Sequence, residues 1–291
     1  MAEMSPPNAS PGIAAWLALT ETELCDSAPL EPIRSLRSRR VVEQDHSLAL
    51  STISNLLRAS FVTPALCARL QSPEEIAKRA SMLMPKKQWR VQLGDFGEAL
   101  ALGVLEGLQG LCVPVVKLQG LHTSNETQHG IDQVAFKIDE NKVLREIWFV
   151  ECKAGTTKKS HAGVEACSEL SRQREDEEVI WHLLNYYMER LSRNDEDLAD
   201  QLFQYLKGAG SDSGCSEEHE LFFLWESQEW HPSANEYLQR CEACKERTTG
   251  GPKCAESRHA VFFFQNDLAS LVKYAYQAYG ITASPPEHES D

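Results

Sequence analysis

No stretch of this 291-residue chain is long and apolar enough to cross a bilayer, and no charged-then-apolar leader opens it. A soluble, unexported protein of the cytoplasm, with no membrane partner, is therefore expected. Internal repeats are absent. So are a glycine-rich phosphate loop, a dinucleotide-binding fingerprint and any separate Cys/His nucleophile arrangement, which removes the commonest nucleotide-binding and thiol-hydrolase classes. Basic residues are scarce: 29 Lys and Arg stand against 43 Asp and Glu, a formal net charge of −14. A protein that binds duplex DNA on its own normally carries a basic footprint, because phosphate neutralisation supplies most non-specific affinity. This chain repels a duplex except over local patches. Its nine cysteines, scattered and odd in number, give no disulfide framework and read as free thiols of a reducing compartment.

What is present centres on residues 94–155. Gly94-Asp-Phe-Gly-Glu98 leads into a run of good helix formers that is apolar on most sides, so it reads as a largely buried helix. Cys112–Leu118 is a β-branched run whose Pro114 suits an edge or strand start. Asp132–Ile138 alternates, Asp139–Lys142 supplies turn residues, and Val143–Val150 returns as an apolar strand, together a β-hairpin. Tightening it at residues 139–142 brings Asp132 and Glu151 near one open end. Two carboxylates there can share a hard divalent cation, which prefers oxygen ligands. Lys153, two residues beyond Glu151 on the strand, points to the same side, where its ammonium can face a phosphate. Charges closing so apolar a run need a reason, because unpaired charge beside a core costs several kcal/mol. Blander accounts exist for each residue: a solvated Glu-x-Lys pair, Asp132 as a turn residue, Glu98 favoured by the dipole of a helix's first turn.

The order of these elements resembles the PD-(D/E)xK nuclease superfamily. Within it, the Gly97-Glu98 helix opening, Gly130-Ile131-Asp132 and Glu151-Cys152-Lys153 are similar to the HamA nucleases of Hachiman anti-phage systems, over residues 90–175. The resemblance implies an α/β fold with a restriction-endonuclease-like core, a small mixed sheet flanked by helices. It implies Asp132 and Glu151 as ligands of Mg²⁺ or Mn²⁺, Lys153 as the catalytic lysine, and Glu98 completing the site. It implies hydrolysis of DNA in an anti-phage complex with a DNA helicase/ATPase subunit of the HamB kind, which accords with an acidic chain whose substrate is delivered by a basic partner. Ile131 stands where the superfamily often has proline. An inactive nuclease-fold scaffold that regulates a helicase, and an RNA-cleaving, toxin-like nuclease, are the competing expectations.

Around this centre we expect a disordered tail at 1–12, a helical N-terminal region at 13–90, a nuclease domain with an α+β C-terminal extension at 91–280, and a disordered tail at 281–291. Arg34, Arg37, Arg39 and Arg40 form a basic cluster that suits either a phosphate backbone or an ion-paired face. Ser72-Pro-Glu-Glu75 carries a capped helix start. Lys158 and Lys159 follow the motif closely. Residues 161–206 read as two helices, the first carrying Gln173 and Arg174; in superfamily branches a glutamine on this helix assists the site. The aromatic stripe of 180–188 reads as core or subunit interface. Glu220–Trp225 and His259–Phe264 extend the sheet, and Leu268–Tyr279 closes it as a helix. Between those strands Cys241-x2-Cys244, with Cys254 and His259, matches a structural zinc pattern, although free thiols in an insertion are the simpler account and Cys215 with His219 competes for the second pair. Cys152 should face the core and be inert.

Overall fold

The computed structural model describes residues 20–24, 33–41, 46–70, 72–86, 88–107, 109–120, 131–157, 162–192, 195–209, 215–226, 229, 258–265 and 267–283. Cys241, Cys244 and Cys254 of the zinc pattern, and Lys158 and Lys159, lie outside them. The strands are β1 (Thr20–Leu24), β2 (Ile33–Val41), β3 (Gln133–Ile138), β4 (Leu144–Gly155), β5 (Ser216–Glu226) and β6 (Arg258–Gln265). They form one mixed sheet in the order β1-β2-β6-β5-β4-β3. The four inner strands run parallel, and β1 and β3 flank them antiparallel. The helices are α1 (His46–Phe61), α2 (Pro64–Cys67), α3 (Pro73–Leu83), α4 (Trp89–Gly107), α5 (Ala162–Glu175), α6 (Glu177–Leu191), α7 (Glu196–Gln204) and α8 (Leu268–Gln277).

Parallel strands read as continuous apolar runs because both faces are covered. β5 shows how: Phe222 and Leu224 enter one core with α1, α4 and α8, while Leu221 and Phe223 enter a second with α5, α6 and α7. β4 divides the same way, with Val150 and Cys152 on the first side and Ile147 and Phe149 on the second. The outcome is three layers, helices over both faces of the sheet. None of the helices among the described residues is long and apolar enough to cross a membrane.

The expected hairpin forms. Asp139 Oδ1 accepts from the backbone N–H of Asn141 and of Val143, each at 2.9 Å, and ties the turn. Ser72 caps α3, its hydroxyl accepting from Glu75 N at 3.2 Å. Four expectations need correction. The N-terminal region is not all helical: β1 and β2 belong to the sheet, so the arginine cluster lies on a strand. Pairing with β6 fixes β2 despite a sequence with no apolar alternation, as strand formation depends on partners more than on local preference. Residues 112–118 make no strand. Cys112 bridges Phe136 once, Pro114 has no N–H to extend the ladder, and Lys117–Gly120 turns as a 3₁₀ helix. Residues 161–206 hold three helices, because Asp176 and Asp195 each cap a new one. Residues 281–283, expected within the disordered tail, are part of the fold: Gly280, at φ +69°, ends α8 in a Schellman turn that brings Ile281 and Ala283 into the first core.

Candidate active site

Residues from four segments meet at the open end of the β3–β4 hairpin. Gln133 pairs with Val150, so Asp132 stands level with Glu151 across the two strands. Asp132 Oδ2 accepts from the Cys152 backbone N–H at 2.8 Å, which fixes its carboxylate against β4. Lys153 lies on the same side as Glu151, as the two-residue period requires, and its ammonium donates to Glu151 Oε1 at 2.7 Å. The same ammonium donates to Glu169 Oε2 on α5, also at 2.7 Å.

Glu98 reaches the site because α4 lies close on β4. A Cβ on Gly97 would sit 3.0 Å from Ala154 Cβ and 3.2 Å from Cys152 Sγ, so only glycine lets the helix approach this far. Glu98 is in the middle of a 19-residue helix, so the first-turn dipole does not account for it. One turn earlier on the same face is Asp95, nearly sealed from solvent. Lys117, from the 3₁₀ turn, donates to Asp132 Oδ1 at 2.8 Å, with both side chains about an eighth exposed (13 % and 12 %).

The electrostatics are those of a charge cluster taken out of water. Burial, and then the Asp132 charge, push the Glu151 carboxyl up to about 8 and Glu98 well above the usual range. Burial pushes Asp95 up to about 7. Burial opposes the ammonium of Lys117, but Glu98 and Asp132 outweigh it and hold that group above its ordinary value; Glu151 does the same for Lys153. Glu169 is held low by Lys153, against the effect of its partial burial. Burial raises the Cys152 thiol well above its ordinary value, so it is the inert core residue expected.

Five carboxyl groups thus share two ammoniums, and Asp95 Oδ2, Glu98 Oε2 and Glu151 Oε2 are buried with no hydrogen-bond donor. That donor set, all hard oxygen with negative charge in excess, fits a divalent cation such as Mg²⁺ or Mn²⁺ in chemistry and in charge. As the side chains stand, no three His, Cys, Asp or Glu among the described residues are set to hold one ion. The ammoniums of Lys117 and Lys153 lie on Asp132 and Glu151 instead. His259 lies in β6 beside Glu220, and His219 packs edge-on against Phe149.

The structure therefore assembles Asp132, Glu151, Lys153 and Glu98, all four named from the sequence. Three further charged residues belong with them. Asp95 could have been found as the helical neighbour of Glu98 at i−3, whereas Lys117 was hidden in a run with the composition of a strand. Glu169 had no signal short of a contact. Gln173 is buried one turn beyond Glu169, with Oε1 unbonded, but no hydrogen bond joins it to the other groups.

A mixed α/β sheet with a buried carboxylate pair and a lysine at the hairpin's open end defines the class: an α/β protein built round one charged centre. The family model HamA matches residues 27–278, and the chain belongs to the HamA family. Membership associates it with Hachiman defence. No curated protein matches it.

Proposed function

We propose that this chain is a metal-dependent nuclease with a restriction-endonuclease-like, PD-(D/E)xK core that hydrolyses phosphodiester bonds of DNA as the effector of a Hachiman complex. One observation carries the reading: Asp132 and Glu151 stand level and buried, with the Lys153 ammonium on the same side. Asp132 and Glu151 would hold Mg²⁺ or Mn²⁺, which supplies Lewis-acid polarisation of the phosphate and a more acidic water. Lys153 places its charge where negative charge develops on the phosphoryl oxygens, and Glu169 aims it. Glu98 adds a carboxylate from the opposite layer. The chain's own charge of −14 supports delivery of the strand by a basic helicase partner, since the lone protein repels it.

The test is cleavage of labelled DNA, with RNA in parallel, by the chain purified with its helicase partner. Cleavage should need Mg²⁺ and stop with EDTA, and Glu151→Gln or Lys153→Ala should slow it at least ~100-fold. Equal rates in wild type and both variants would remove the nuclease reading. The ion pair between Lys117 and Asp132 favours a second reading, an inactive scaffold regulating the helicase, and an inactive wild-type complex would select it.

A further inference from the structure

Both oxygens of Asp132 are already engaged. Oδ2 takes a backbone N–H from Cys152, which cannot leave without breaking the β4 strand, and Oδ1 takes the ammonium of Lys117. The segment that presents Lys117 is anchored on either side. Val115 and Leu118 are buried, one in each core, and Gln119 Nε2 donates to Ala59 O at 2.8 Å, pinning the turn to α1. The backbone at Lys117 is therefore held, so that displacing its ammonium from Asp132 means rotating the side chain alone. A divalent ion on Asp132 would stand within a few ångströms of that ammonium, and like charges so close in a partly dry site repel strongly. Glu98 Oε2 and Asp95 Oδ2, buried without a donor and within electrostatic reach of Lys117, are the acceptors to which the ammonium can move.

We propose that Lys117 is a resident counter-ion that a divalent metal must displace from Asp132, so that this lysine sets the metal affinity of the site. The proposal rests on the metal-dependent reading above. It assigns Lys117 a positioning role, distinct from the charge that Lys153 places on the phosphate. Without metal, Lys117 neutralises a carboxylate that would otherwise be buried alone. With metal, it retires toward α4, so occupation of Asp132 is an exchange of one cation for another.

The experiment is calorimetric titration of Mn²⁺ into the full-length chain as wild type, Lys117→Met, Lys117→Arg and Asp132→Asn, each checked for folding by circular dichroism. Lys117→Met should bind Mn²⁺ at least about tenfold more tightly than wild type, since the competing charge is gone. Lys117→Arg should bind more weakly, because a guanidinium fork holds a carboxylate at two points. Asp132→Asn should not bind. If Lys117→Met does not fold, the arginine variant decides, and affinity equal to or above wild type overturns the proposal. Binding that Asp132→Asn abolishes but both lysine variants leave unchanged overturns the counter-ion role alone. Absence of binding by every protein, wild type included, overturns the metal-dependent reading with it.

Discussion

Asp95→Asn should stabilise the metal-free protein, and by more at high pH than at low. Asp95 is 7 % exposed and its Oδ2 has no hydrogen-bond donor. Burial lifts its carboxyl from 3.8 to about 7 in the fold. Between those values the folded chain keeps a proton that the unfolded chain has released, so stability falls as pH rises through the window, at about 1.4 kcal/mol per pH unit. The full effect is about 4 kcal/mol above pH 7, of which about 2 kcal/mol accrues between pH 5 and pH 7. Asparagine occupies nearly the same space and does not titrate. Guanidinium melts in EDTA at pH 5 and pH 8 should show the variant's advantage growing by a few kcal/mol. Both proteins still lose stability with rising pH, because Glu98 and Glu151 are also raised, but the variant loses less. Parallel curves for the two proteins would refute the claim that burial outweighs the Lys117 charge at Asp95.

Two packing predictions stand apart from the charges. Gly155→Ala places a Cβ 2.3 Å from Trp225 Cζ2, and that ring is tethered by its N–H to Thr157 O at 3.0 Å, so it cannot withdraw freely. The overpacking should cost about 1–3 kcal/mol in a urea melt, and an unchanged midpoint would contradict it. Tyr187→Phe removes a hydroxyl that accepts from Val134 N at 3.2 Å and donates to Val115 O at 3.1 Å, both inside the fold. Leaving those groups unpaired should cost about 1–3 kcal/mol, and retention of full stability would show that water replaces the hydroxyl.

The hairpin and its charged ends were legible because a period of two is a strong local signal and Asp139 is a turn residue with a mechanism. Glu151 and Lys153 stood out as charges on an apolar strand. Lys117 did not, because Cys112–Leu118 has the composition of a strand, and only the missing N–H of Pro114 hints that the ladder fails there. Glu169 belongs to the site through a tertiary contact with Lys153, which no spacing along the chain encodes. β2 was hidden for the opposite reason: Ser-Leu-Arg-Ser-Arg-Arg has no apolar alternation, and its strand exists through pairing with β6. The third helix after the motif was lost in an acidic stretch, although Leu198, Ala199 and Leu202 line one face of it.

The sheet order has a consequence for how the protein is made. β2 sits between β1 and β6, so a strand synthesised among the first pairs finds its parallel neighbour only when Arg258–Gln265 leaves the ribosome. Until then β2 and β5 both offer open parallel edges, the kind of template on which chains aggregate. Such long-range closure is slow, since loop entropy must be overcome before the pairing rewards it. The hairpin with Asp132 and Glu151 can form early, but the sheet beneath it is completed only when β6 pairs with β5, and the first apolar core only when α8 packs. A nascent chain would therefore carry the charged hairpin before the burial that perturbs its carboxyl groups, and that perturbation would arrive only once β6 has paired and α8 has packed.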